Sequence, residues 1–177
     1  MYIFTIAFII ICVLLLFRKP QYVLYKGVYV NNSYSNDMKE RVYNEIVYLK
    51  HVSKTFIKDL LSEYPTNVYI KRLRNWSGVI HELKFNTNIL ASNTNKGDYI
   101  SICLTNNDGG LNNRNENMWV LLHELAHVMT NDYAHNDEFW KHYKFLVHEA
   151  VKRGYYTYVD YTKNPQQFCG SKIRYNF

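Results

Sequence analysis

Apolar and polar positions along this chain repeat with two different periods. From Asp37 to Tyr64, the residues Val42, Ile46, Leu49, Val52, Phe56 and Leu60 recur at helical steps, which predicts one long helix with a single buried stripe. Asp37, followed by Glu40, supplies a start signal, and Pro65 an end, because the residue before a proline avoids helical backbone. Lys39, Arg41, Lys50, Lys54 and Lys58 fall on the other faces and read as solvated surface. From Met118 to Met129 the chain is apolar nearly all round, which predicts a buried helix, with Asn113 and Glu116 forming an Asn variant of the capping box at its start. Phe139, Trp140, Tyr143, Leu146, Val147, Ala150 and Val151 form the stripe of a following helix, which Asn136 opens and Gly154 closes. Period-two stretches predict strands at Val68–Leu73 and Asp98–Leu104. Gln21–Val30, with Gly27 at its centre, reads as a short strand, a hairpin or a linker. Asn86–Asn95 and Thr105–Asn112 read as loops, Tyr155–Val159 as a short strand or extended tail, and Asn164–Phe177 as a polar, loop-like tail.

The first residues stand apart. Met1 to Phe17 is almost wholly apolar and is followed by Arg18-Lys19-Pro20. As a helix this run reaches about 25 Å, within the range of a membrane span. It lacks the basic n-region and small-residue cleavage site of a secretory signal, so the expectation is an uncleaved single-pass anchor. Arg18 and Lys19 then place the following domain on the cytosolic side of a host-cell or virion membrane. The expected organisation is an anchor at 1–19, a juxtamembrane linker at 20–36 and one catalytic domain at 37–177.

Composition adds little to this division. A net charge of +6 over 177 residues is a mild excess that does not argue for nucleic acid. Seventeen tyrosines beside many Asn, Ile and Lys match the bias of an AT-rich genome, such as that of a large DNA virus. Cys12, Cys103 and Cys169 are odd in number and widely spaced, which argues against a disulfide framework and against a Cys-type zinc site, and suits reduced thiols in a cytosolic domain.

The candidate chemistry lies in the buried helix, as His123-Glu124-Leu125-Ala126-His127. Histidines four apart on a helix share one face and can bind one zinc ion, and the intervening glutamate can act as general base toward zinc-activated water. This is the H-E-x-x-H signature of zinc metalloproteases. Catalytic zinc needs a third protein ligand. The downstream candidates are His135, Glu138, His142, His148 and Glu149. His135 follows a polar turn, Thr130 to Ala134, and precedes the helix cap at Asn136, so the chain turns back at this position. Glu149 lies at the edge of the apolar stripe, at a distance that suits a thermolysin-like third ligand. His142 and His148 read as solvated or supporting residues. His81-Glu82 begins like the zinc motif, but Phe85 stands where a second ligand would be.

His123 to His127, with His135-Asn136-Asp137-Glu138-Phe139-Trp140 beyond, resembles the WLM metallopeptidase family, relatives of the SprT-like proteases. The resemblance covers roughly residues 97–153. It implies that His123, His127 and His135 hold one Zn²⁺ and that Glu124 is the catalytic base. It also implies an α+β, zincin-like domain in which a small mixed sheet packs on helices and the strand before the active helix borders the cleft, near Ile100–Leu104. Tyr133, Tyr155, Tyr156 and Tyr158 are the candidates to stabilise an oxyanion. The function expected is a membrane-anchored zinc metallopeptidase acting on a peptide or protein substrate, with membrane contact through residues 1–17 and no nucleic-acid partner. The alternatives are a non-catalytic anchored virion protein with a fold-stabilising zinc, and a SprT-like protease acting on DNA–protein crosslinks.

Overall fold

The computed structural model describes residues 20–83, 89–106 and 108–174. The expected anchor at 1–19 lies outside the described residues. Among the described residues, no helix is long and apolar enough to cross a membrane.

Within the stretch expected as a linker, β1 (Tyr22–Tyr25) and β2 (Val28–Asn31) form an antiparallel hairpin. Its two-residue turn, Lys26-Gly27, has positive φ at both positions, the backbone that matches strand twist in a tight hairpin. Val28 and Val30 face inward and are buried, so the hairpin belongs to the domain core. Helix α1 (Asn36–Glu63) follows and buries the predicted stripe. Its cap is Ser35, whose Oγ accepts from the Met38 amide, where sequence pointed to Asp37. Asp37 instead sits in the first turn, where its charge meets the positive end of the helix.

Val68–Leu73 is helical, not a strand. It forms α2 (Val68–Arg72), continued by a 3₁₀ turn at Leu73–Asn75. The Asn67 side chain accepts from the amides of Tyr69 and Ile70 and starts the helix. Ile70 and Leu73 are the buried positions while Val68 is 60% exposed, so the operative spacing is three, not two.

The sheet has strand order β3-β5-β4, built from β3 (Ile80–Glu82), β4 (Ala91–Thr94) and β5 (Tyr99–Ile102). β3 runs parallel to β5, with Ile80 opposite Ile100, and β4 runs antiparallel, with Ala91 opposite Ile102. The mixed sheet expected is present, but β5 is its middle strand. The free edge beside the active helix is β4, in a stretch that sequence assigned to a loop. Its polar residues, Ser92, Asn93 and Thr94, hid it. The β4–β5 turn passes through Gly97, where a Cβ would come within 3.0 Å of the Asn75 carbonyl oxygen and Trp76 Cα.

Helices α3 (Arg114–Met129) and α4 (Asp137–Lys152) pack together, with the Tyr143 hydroxyl on the Trp119 carbonyl at 3.3 Å. Asn113 caps α3 and Asn136 caps α4, as the sequence indicates. The C-terminal stretch is no loose tail. β6 (Gln166–Phe168) and β7 (Ser171–Ile173) form a hairpin that buries Phe168 and Ile173. In its turn, Cys169 is disulfide-bonded to Cys103, just after β5, with Cα atoms 6.0 Å apart. The expectation of reduced thiols is therefore corrected. The two cysteines are 66 positions apart, and only the fold brings them together. In the chain-entropy picture a loop of that length confers about 4 kcal/mol. Cys169→Ser should lower stability by up to about that amount, read by denaturant melts against wild type with and without reductant; equal midpoints for all samples would contradict it.

Glu82 joins the hairpin to the sheet. Its buried carboxylate accepts from the Asn31 amide at 2.9 Å and from the Tyr34 hydroxyl at 2.8 Å, and that hydroxyl also lies 2.8 Å from Thr105 Oγ1. Burial outweighs these bonds and pushes the carboxyl up to about 7. The native state therefore holds this proton where the unfolded chain has released it. The group's favourable contribution is full below the ordinary carboxylate value and is lost as pH rises through 7, a loss on the order of 3 kcal/mol. Glu82→Gln should flatten the fall of Tm between pH 5 and pH 8, and a variant with the wild-type slope would sink this assignment.

Candidate metal centre

Helix α3 presents its two histidines along one edge, half-buried, while the rest of its surface is enclosed. The helix stops at Thr130, whose hydroxyl donates to the Ala126 carbonyl at 2.8 Å and lies 3.0 Å from His142 Nδ1. Two cations then take its last carbonyls and those just beyond. Arg72 donates to the Met129 oxygen at 2.8 Å. Lys96 Nζ donates to the oxygens of Thr130 at 2.7 Å and Asp132 at 3.1 Å, and to that of Asn131. Asp132 Oδ1 accepts from the amides of Tyr133 and Ala134 and tightens the turn. The chain so folded returns His135 to the two helix histidines.

The three rings converge through their Nε2 atoms. His135 Nε2 lies 2.9 Å from His123 Nε2 and 3.1 Å from His127 Nε2. Three nitrogens bound tetrahedrally to one zinc at about 2.0–2.1 Å would lie roughly 3.3 Å apart, so the donor set fits one such ion after a small expansion. Phe139, in the first turn of α4, touches all three rings, with centroid distances of 4.8 Å to His123, 4.4 Å to His127 and 4.6 Å to His135. Burial first, and then the neighbouring imidazoles, lower His123 to about 3 and His127 to about 4. Both rings are neutral at pH 7 and keep a lone pair available. Glu124 is buried beside them, and burial pushes its carboxyl up to about 8.

Two adjoining hollows open on this cluster. One, of about 220 Å³, is lined on its polar side by Ser92, Asn93, Lys96 and Tyr133. The other, of about 260 Å³, is lined by Leu90, Trp119 and Val120. His123, Glu124, His135 and Ala91 belong to both. Strand β4 runs beside them, tied to the helix by Asn93 Nδ2 on the Glu124 carbonyl at 2.9 Å.

Other candidate residues lie elsewhere. Glu149 is buried but faces α1, accepting from the Tyr64 hydroxyl at 3.1 Å and pairing with Arg153. His142 is buried against Thr130 and the Tyr69 ring, and His148 is exposed. Of the four tyrosines, Tyr133 lines the cleft, whereas Tyr155 donates to Asp59 and Tyr156 meets Tyr161. Among the described residues, the one group of three or more His, Cys, Asp or Glu side chains placed to hold a metal is His123, His127 and His135. Sequence reasoning missed Lys96 and Arg72, which reach the loop from distant segments, and took Phe139 for simple stripe packing.

A buried helix bearing two histidines one turn apart, a third histidine returned by the next loop and a mixed sheet alongside define a metallopeptidase-like α+β domain. The chain belongs to the WLM domain family, which it matches over residues 44–176. This is a zinc metalloprotease-like family. The fold is similar to that of Wss1 from Saccharomyces cerevisiae, with a TM-score of 0.50 and 21% identity, over 70% of this chain and 88% of that one. Two viral proteins are similar in sequence. Uncharacterized protein R325 of Acanthamoeba polyphaga mimivirus is 35% identical over 79 residues, 44% of this chain and 40% of that protein. Uncharacterized protein 042R of Invertebrate iridescent virus 3 is 46% identical over 43 residues, 24% of this chain and 27% of that protein. The matches thus span less than half the length of either viral relative. Family and relatives together mark a WLM-family protein of a large DNA virus.

The donor geometry yields a direct test. Purified protein, dialysed against zinc and assayed by atomic absorption, should carry one ion; His135→Ala should lose it and Glu149→Ala keep it. Loss on Glu149→Ala with retention on His135→Ala would refute the assignment.

Proposed function

We propose that the chain is a zinc-dependent peptidase that hydrolyses peptide bonds in a protein substrate. The convergence of three imidazole nitrogens beside a buried carboxyl in an open cleft carries this reading. His123, His127 and His135 would hold the ion. When bound, zinc supplies Lewis acidity toward the scissile carbonyl and makes water acidic enough to lose a proton near neutral pH. Beside such a charge the Glu124 carboxyl would fall from its raised value and become a carboxylate, since an opposite charge favours the ionised form. Glu124 then takes the proton of the attacking water and delivers it to the departing amine. Tyr133 lines the cleft, which supports it among the tyrosine candidates as the one to stabilise a developing oxyanion.

A peptide lying antiparallel to β4 would find a free strand edge, and β-augmentation would hold it by main-chain bonds. β5, the strand that sequence placed near this role, is already paired on both sides. Such a peptide could seat an apolar side chain in the hollow between Leu90, Trp119 and Val120. The proposal keeps residues 1–17 as a single-pass anchor. The Cys103–Cys169 disulfide favours an oxidising compartment for the domain. Arg18 and Lys19 favour the cytosolic side, and of the two signals the disulfide is the one formed within the domain itself.

The deciding experiment compares zinc-loaded wild type with Glu124→Gln on an unfolded protein substrate. The variant should retain zinc and the wild-type Tm but lose cleavage by about 10²–10⁴-fold. If zinc-loaded wild type cleaves nothing, while chelation lowers the Tm, the metal is structural and the non-catalytic alternative takes over.

A further inference from the structure

The face of the sheet turned away from α1 and α3 carries an uncharged aromatic surface that the peptidase reading does not use. On the hairpin, Leu24 pairs opposite Tyr29, and Tyr22 shares their side by strand alternation. On the sheet, His81 pairs opposite Ser101, and Tyr99 shares their side. The rings form an unbroken row, Tyr29 to His81 at 5.2 Å and His81 to Tyr99 at 5.5 Å. A hollow of about 460 Å³ lies over them, bounded by Tyr22 and Leu83 and floored by the buried Glu82. Leu24 is 60% exposed, Tyr29 49% and Tyr99 39%. None of the outward positions named carries a formal charge, and burial together with nearby Lys50 lowers the His81 pKa, which keeps the ring neutral at pH 7.

The point where the chain enters the fold is fixed beside this face. Asn32 donates from its backbone to the Gln21 carbonyl at 2.9 Å and from its side chain to the Pro20 carbonyl at 3.1 Å. The apolar run ends at Phe17, so the tether from Phe17 to Tyr22 reaches no more than about 18 Å when fully extended. If residues 1–17 span the hydrocarbon, as proposed above, so short a lead keeps the hairpin next to the headgroup layer. Tyrosine, with an apolar ring and a polar hydroxyl, is enriched at that depth.

We propose that the Tyr22–Leu24–Tyr29–His81–Tyr99 face rests on the interfacial layer of the bilayer that holds residues 1–17, which fixes the orientation of the cleft relative to the membrane. This rests on the anchor in the reading above. The occupant is lipid rather than a charged macromolecule because, among the described residues, the outward positions of this face offer aromatic rings and no formal charge.

The test uses the full chain in phosphatidylcholine vesicles, with Cys12→Ala throughout and a nitroxide attached at Tyr99→Cys, Tyr29→Cys or, as the water-exposed reference, Tyr133→Cys. Unchanged Tm for each variant checks the fold. Labels at Tyr99 and Tyr29 should be several-fold less accessible to an aqueous nickel chelate than the label at Tyr133, and more accessible to oxygen dissolved in lipid. If the protein floats with the vesicles but all three labels respond alike, the docked face is refuted and the anchor stands. Protein that fails to float refutes both. Protection at Tyr99 that grows with protein density and brings dipolar broadening identifies a second copy of the chain as the occupant and also overturns the proposal.

Discussion

Helix α3 ends inside the protein, and the carbonyls at such an end must find donors. That demand organises much of the molecule. α2 is placed to send Arg72 to Met129. The β4–β5 turn, held close by Gly97, delivers Lys96 to three successive carbonyls. α4 contributes His142, against the hydroxyl of Thr130. With these groups in place the chain leaves the helix along one path, and that path brings His135 to His123 and His127. The metal geometry is therefore the by-product of terminating a buried helix, and residues far outside the motif share in setting it.

Burial acts in opposite directions on the two kinds of group at the centre. It strips the proton from His123 and His127 and keeps one on Glu124. Both effects favour neutral side chains in a site partly withdrawn from water. A divalent cation held by the three imidazoles would supply the charge that a Glu124 carboxylate needs.

The sequence displayed the helices and the motif plainly, because each rests on local chemistry: an apolar stripe, an Asn cap, two histidines one turn apart. His135 was marked by the polar turn before it and the cap after it. What it concealed was set by tertiary contact. Val68–Leu73 looked period-two because Val68 and Ile70 are both β-branched, yet the Asn67 cap and the burial of Leu73 decide for helix. β4 is half-buried at all four positions, and Ala91, Ser92 and Asn93 all line the cleft, so no apolar alternation announces it. Cys103 and Cys169 seemed unrelated because their proximity depends on a C-terminal hairpin whose inward residues, Phe168 and Ile173, are too few to form a visible pattern.

Phe139 lies against all three imidazoles, so the rings share a single wall. His123 and His127 stand on α3 and His135 on the loop before α4, so this one ring is the contact that the three donors have in common. Chelation tolerates translation of a donor set far better than distortion of it. Loss of that ring would therefore loosen all three donors at once, although they come from two different segments of the chain.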